Sequence, residues 1–178
     1  MPSIHRYLLP LFFMVVVALL TGCETTQKIV EVIKDPNVPV GYPSKNPTEI
    51  SLTLVSEPDL NPNQSGEPTP IELQVVYLND DSKFSSIDYD QILNDGPEKA
   101  LGKNYVNHQD YSLLPGQFKS LPPIKLDAET RFIGIIAHYS YIDDSQWYDI
   151  IDVESVGKKE NIMIHARADR VEIRKEDK

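Results

Sequence analysis

Proline is the feature that most narrows what this chain can become. Of its 14 prolines, eight fall between Pro36 and Pro70. Each lacks a backbone donor and clashes with the preceding helical turn, so no regular helix runs through that stretch. Pro36, Pro39, Pro43 and Pro47 recur every three or four residues, a spacing that favours extended chain. Pro58, Pro62, Pro68 and Pro70, with Gly66, predict a long loop over 56–70. From residue 49 onward, prolines and glycines punctuate short runs in which apolar and polar residues alternate. Alternation with a period of two is the signature of strands with one buried face.

The runs can be placed individually. Ile50, Leu52 and Leu54 alternate with Ser51 and Thr53. The run 71–78 puts Ile71, Leu73, Val75 and Tyr77 on one side. Strands resume near Tyr111 and break at Leu114-Pro115-Gly116-Gln117. The segment 118–126 reads as a strand that Pro122-Pro123 confine to an edge. The segment 131–140 is the most apolar of the body and reads as a central strand. A strand over 147–156 follows, and 162–168 pairs with 170–175 through a turn at Ala168-Asp169. Between the second and third strands, Phe84, Ile87, Ile92 and Leu93 fit a short amphipathic helix over 83–93. A second helical turn over 97–101 carries proline at its first position. Asn79-Asp80-Asp81-Ser82 is a turn able to cap a helix. About eight short strands with a helical insertion predict an all-β fold, a two-sheet antiparallel β-sandwich.

Composition excludes other solutions. At 178 residues the chain suits one domain, two at most. One cysteine rules out a disulfide framework and a Cys-rich zinc module. A formal charge of −10, with 17 basic against 27 acidic residues, argues against a nucleic-acid partner.

That cysteine sits at position 23, after an apolar run from Leu8 to Leu20 that follows Arg6. Thirteen residues is too short to span a bilayer, which takes about 20, and the pattern is that of a secretory signal peptide. The run ends Leu20-Thr21-Gly22-Cys23, which resembles the lipobox of bacterial lipoproteins. The resemblance implies that residues 1–22 are removed. Cys23 then carries a diacylglycerol thioether and an N-acyl chain such as palmitate. Two or more acyl chains give stable anchoring without a spanning helix. Glu24 stands where aspartate would signal inner-membrane retention, so the resemblance implies the outer membrane, facing the periplasm. Residues 23–48 read as a lipidated tether reaching at most about 80 Å, and 49–178 as the β-sandwich domain. Within the tether, 28–34 is apolar and β-branched and reads equally as helical face or strand.

The body carries a second resemblance. Pro70 to Leu78, followed by Phe84, Ile87-Asp88-Tyr89 and Ile92, is similar to the strand and helix of the type VI secretion lipoproteins, the TssJ family (also called SciN or VasD). The preceding Leu60-Asn61-Pro62 and Gly66 to Pro70 resemble the family's loop between its first two strands, and Leu101-Gly102, Leu114-Pro115-Gly116, Arg131 to Ala137 and Trp147 follow in the family's order. Ala137-His138-Tyr139-Ser140-Tyr141 departs from it where an arginine often follows the central strand. The resemblance implies a transthyretin-like sandwich and a non-enzymatic role without cofactor. It implies an outer-membrane anchor that binds the periplasmic C-terminal region of the inner-membrane subunit TssM, and through it meets TssL. By position the contact is the loop 56–70, with Asp59, Leu60, Asn61, Pro62, Asn63 and Gln64 as the expected partner-binding residues. Leu60, the one large apolar side chain of that loop, is the expected anchor.

The alternative is a periplasmic lipoprotein enzyme or carbohydrate-binding module on the same sandwich. His108, His138 and His165 remain after cleavage, on different expected strands or at their edges, without a nucleophile motif or paired zinc-ligand spacing. Trp147 with Tyr139, Tyr141 and Tyr148 reads either as a ligand shelf or as cross-strand packing. Asp80-Asp81 and Asp143-Asp144 lack the glycine and glutamate of a calcium loop and read as turns.

Overall fold

A computed structural model describes residues 46–176, all within one compact unit that runs from Lys45 to the C-terminus. The signal peptide and residues 23–45 of the tether, Cys23 included, lie outside the described residues. Two sheets face each other. One holds β1 (Glu49–Ser56), β4 (Phe118–Ser120), β5 (Ile124–Lys125), β8 (Lys159–Ala166) and β9 (Val171–Glu176). Its order is β4-β1-β8-β9, with β5 also pairing β1. The other holds β2 (Ile71–Leu78), β3 (Tyr105–Leu113), β6 (Phe132–Ala137) and β7 (Tyr148–Asp152), in the order β3-β2-β6-β7.

The alternation read from the sequence is the alternation of burial. Ile50, Leu52 and Leu54 of β1 point inward, as do Ile71, Leu73, Val75 and Tyr77 of β2 and Ile133, Ile135 and Ala137 of β6. With Ile162, Ile164, Val171 and Ile173 they form the core between the sheets. At roughly 1.5–3 kcal/mol for each large apolar side chain, this burial is the main force holding the sheets together. A second, smaller core explains why β2 and β6 lack clean alternation. Val76, Leu78 and Ile136 on the outer face of their sheet are covered by Phe84, Ile92, Ala100 and Leu101. The Phe84 ring lies directly on the β6 backbone at Gly134. A Cβ at that position would stand 2.5 Å from Phe84 Cζ.

Three expectations need correction. The sandwich is not wholly antiparallel: β1 and β8 pair in parallel from Glu49↔Lys159 to Ser56↔Ala166. A hairpin forces neighbouring strands to run antiparallel. No hairpin joins these two, because the chain between them builds the opposite sheet and the β4 and β5 edge. Second, the helix does not cover 83–93. A 3-10 turn, Phe84–Ser86, is followed by extended residues at Ile87 and Asp88, and α1 runs Tyr89–Leu101. Asp88 caps it by accepting from Asp90 N at 2.9 Å. Asp80 instead closes its own turn by accepting from Ser82 and Asn104. Gly96 (φ 73°) kinks α1, so its last turn starts on Pro97, as the sequence led us to expect. Third, β3 begins at Tyr105, six residues before Tyr111. The proline-bearing edge is as expected: β4 and β5 are two short pieces on the free side of β1, interrupted at Leu121-Pro122-Pro123. Among the described residues no helix is long and apolar enough to cross a membrane.

Candidate functional site

Strand directions gather four connections at one end of the sandwich. Parallel pairing puts the C-termini of β1 and β8 together at Ser56↔Ala166. In the other sheet, Ile71 at the start of β2 faces Leu113 at the end of β3, and Leu73 faces Ala137 at the end of β6. The loop 57–70, the turn 114–117, the connection 138–147 and the hairpin turn 167–170 therefore share one pole. The chain comes into the domain at the opposite pole. There Pro47 bridges Val156, Thr48 N donates to Ser155 O at 2.8 Å, and Gly157 N donates to Asn46 O at 2.8 Å. An eight-residue strand separates the poles, a distance of roughly 25 Å.

The loop 57–70 has no regular elements, yet it is built. Leu60 is fully buried in the core between the sheets. Its carbonyl accepts from Thr69 N at 3.0 Å, closing the loop's neck. Asn61 is 5% exposed and has a positive φ of 45°, a conformation asparagine tolerates better than most residues. Its side chain donates to Pro70 O at 2.9 Å and accepts from Ser140 N at 2.7 Å, tying the loop to the neighbouring connection. Asn63 organises the tip. Its Oδ1 accepts from Ser65 N at 2.9 Å and Glu67 N at 3.0 Å, and its Nδ2 donates to the Glu67 carboxylate at 3.1 Å. Glu57, where the loop begins, meets His165 Nε2 at 2.8 Å.

This changes the roles of the expected contact residues. Leu60 does not present an apolar anchor to solvent; it plugs the loop into the core. The Asn61 side chain is likewise consumed internally. Asp59, Gln64, Ser65, Glu67 and Pro68 are exposed, while Pro62 and Asn63 are half-buried. The structure adds neighbours that the sequence left out. Leu114 is 57% and Phe118 69% exposed. Their turn is fastened to the loop's base: Gly116 N donates to Glu57 O at 3.0 Å and Ser56 Oγ to Leu114 O at 2.6 Å. On the other flank a cleft of about 390 Å³ opens between Pro62, Tyr139, Tyr141, Asp144 and Asp169.

The remaining candidates are dispersed. His108 Nδ1 meets the Tyr105 hydroxyl at 2.7 Å on β3, and His138 Nδ1 meets Tyr89 OH at 2.8 Å against α1. Burial lowers the His138 pKa below the usual imidazole value, only partly opposed by Glu72 and Asp110. His165 is the partner of Glu57 on β8. The aromatic residues divide in the same way. Trp147 meets Tyr89 edge-on and lies tilted against Tyr148, and Tyr148 meets Phe84 edge-on, so these two pack rather than form a shelf. Tyr139 is buried and donates to Arg167 O at 3.2 Å; Tyr141 is 45% exposed.

This architecture matches known proteins. The chain is similar to the type VI secretion lipoprotein TssJ1 of Pseudomonas aeruginosa, with 28% identity and a TM-score of 0.68 over 74% of this chain and 98% of that one. The Serratia marcescens Lip protein, a membrane-bound component of the type VI secretion system, shares the fold. It has 24% identity and a TM-score of 0.65, over 74% of this chain and 99% of that one. A chain in a structure of the TssM C-terminal domain from EAEC also shares it, with 19% identity and a TM-score of 0.58 over 70% and 99% of the two chains. Comparison with curated protein sequences gives no match. The family description "Type VI secretion lipoprotein, VasD, EvfM, TssJ" matches residues 48–169, nearly all of the sandwich, and the chain belongs to that family.

Proposed function

We propose that this lipoprotein of the type VI secretion membrane complex is the outer-membrane anchor that captures the periplasmic C-terminal region of TssM, and so couples to TssL indirectly. Acyl chains on Cys23 would hold the chain to the periplasmic face of the outer membrane. The observation that supports this reading most is the opposition of the two poles. The tether joins the domain at residues 46–49, and the loop 57–70 with its flanks occupies the far end. A lipid anchor and a binding surface so arranged can act at the same time.

The loop suits the role because it is ordered before it binds. Asn61, Asn63 and the Leu60–Thr69 closure fix its shape, which lowers the entropy lost on association. Its exposed tip is polar, with Gln64, Ser65 and Glu67. The apolar Leu114 and Phe118 beside it supply the burial a stable interface needs. The role is mechanical: the acyl chains resist extraction, the tether sets reach, and the pole holds the partner.

The test is affinity capture of the protein from detergent-solubilised envelope. TssM should co-purify with the wild type. It should be depleted when Gln64, Ser65 and Glu67 are replaced by alanine. Equal recovery with the tip variant would refute the assignment.

A further inference from the structure

The cleft beside the loop has a chemistry that the loop does not explain. Pro62 from the loop and Tyr139 and Tyr141 from the β6–β7 connection form its apolar and aromatic wall, with Asp144 and Asp169 among its lining residues. Both aspartates are exposed. Among the described residues neither carboxylate has a hydrogen-bond or ion-pair partner. The two arginines of the adjacent turn are already engaged, since Arg167 and Arg170 both meet Glu172, at 3.4 and 3.3 Å. Burial is the main cause that raises the Tyr139 pKa; the charges of Asp169 and Glu172 add to it, and the Arg167 hydrogen bond and the Arg170 charge oppose it. The four connections at this pole carry six acidic residues, Glu57, Asp59, Glu67, Asp143, Asp144 and Asp169, against two arginines, Arg167 and Arg170, so this end of the molecule gathers cations rather than repelling them.

We infer that the Tyr139–Tyr141–Asp144–Asp169 cleft is a socket for a basic side chain, an arginine above all, carried by the protein partner that docks on the loop 57–70. An arginine fits these walls for three reasons. Its aliphatic stem can lie along Pro62 and the tyrosine rings. Its planar guanidinium stacks on an exposed tyrosine face such as that of Tyr141. Its several fixed donors can serve two carboxylates at once. The cleft is continuous with the loop, because Asn61 lines it and accepts at 2.7 Å from the backbone of Ser140, which stands between the lining residues Tyr139 and Tyr141. A partner seated on the loop therefore reaches the cleft without further movement. This inference rests on the loop-docking reading and adds the charge chemistry of the second contact.

The test uses the full chain in detergent, titrated calorimetrically with the periplasmic C-terminal region of TssM. Asp144→Asn with Asp169→Asn should weaken binding by about tenfold or more and flatten its dependence on salt, while the melting temperature stays at the wild-type value. Tyr141→Ala should weaken binding without changing the salt slope. Replacing the partner's arginines and lysines by glutamine, one at a time, should find one whose loss is not additive with the double aspartate variant. Affinity and salt slope unchanged by the aspartate pair, with binding still lost on tip substitution, would overturn the socket and leave the loop reading intact. Failure of the wild type to bind would overturn the partner assignment and the socket with it.

Discussion

Leu60→Ala separates a structural residue from a contact residue. Leu60 sits in the loop expected to bind, yet it is fully buried in the core between the sheets. Truncation removes three carbons, worth about 0.8 kcal/mol each on transfer, or roughly 2.4 kcal/mol. A residual cavity adds to that, and buried leucines truncated to alanine typically cost about 3–5 kcal/mol. For a domain of this size a loss of ~3 kcal/mol lowers the melting temperature by roughly 10 °C. The assay is a circular-dichroism melt, paired with a titration of the TssM periplasmic region at low temperature, where the variant remains folded. The melt should drop by that amount, and the affinity should change little, because the exposed tip is fastened separately by Asn63 and Glu67. The control Asp59→Ala removes an exposed side chain and should shift stability by less than about 0.5 kcal/mol. A wild-type melt for Leu60→Ala together with lost binding would refute the reasoning. It would mean that the side chain faces the partner and not the core.

Three further outcomes follow from other parts of the molecule. Gly134→Ala places a Cβ within 2.5 Å of the Phe84 ring and should cost about 1–3 kcal/mol as overpacking; chemical denaturation should show part of that loss recovered by adding Phe84→Leu. The lowered pKa of half-buried His138 means that the unfolded chain binds its proton more readily than the native one. Stability from this group is present above the unfolded value of about 6.5 and is lost as pH falls through the lower native value. Melts from pH 8 to pH 5 should thus fall less steeply for His138→Gln than for the wild type, and parallel curves would remove His138 from the account. Cys23→Ser should shift the protein from the membrane to the soluble periplasmic fraction and abolish secretion, whereas retention at the membrane with activity intact would contradict the lipid anchor.

How much of this was legible before the structure depended on local pattern. β2 is legible to its boundaries because Ile71, Leu73, Val75 and Tyr77 alternate and proline precedes them. The start of β3 is not legible because Asn107, His108, Gln109 and Asp110 give no apolar periodicity, and Leu113 is its one fully buried residue. Parallel pairing of β1 with β8 leaves no mark in either strand, since each shows the same alternation whichever way its neighbour runs. Leu60 shows a different limit. A lone leucine among prolines and polar residues looks the same whether it points to a partner or plugs the core. The sign that decides it, the double hydrogen bonding of Asn61, is tertiary. The cleft is not legible because it is assembled from three connections far apart in sequence, and its two unpaired aspartates look like turn residues. Deleting 59–67 would confuse these roles by excising Leu60 along with the tip, so substitution confined to the tip is the cleaner perturbation.

The central claim is that the pole opposite the tether binds the periplasmic C-terminal region of TssM. Calorimetric titration of that region against the full chain, wild type and the Gln64→Ala, Ser65→Ala, Glu67→Ala variant side by side, tests it most directly. The account predicts saturable binding to the wild type and an affinity at least about tenfold lower for the variant, equivalent to about 1.4 kcal/mol, with melting temperatures that differ by no more than the loss of the one exposed Asn63–Glu67 hydrogen bond. Equal affinities for the two proteins, or no binding to a folded wild type, would contradict it.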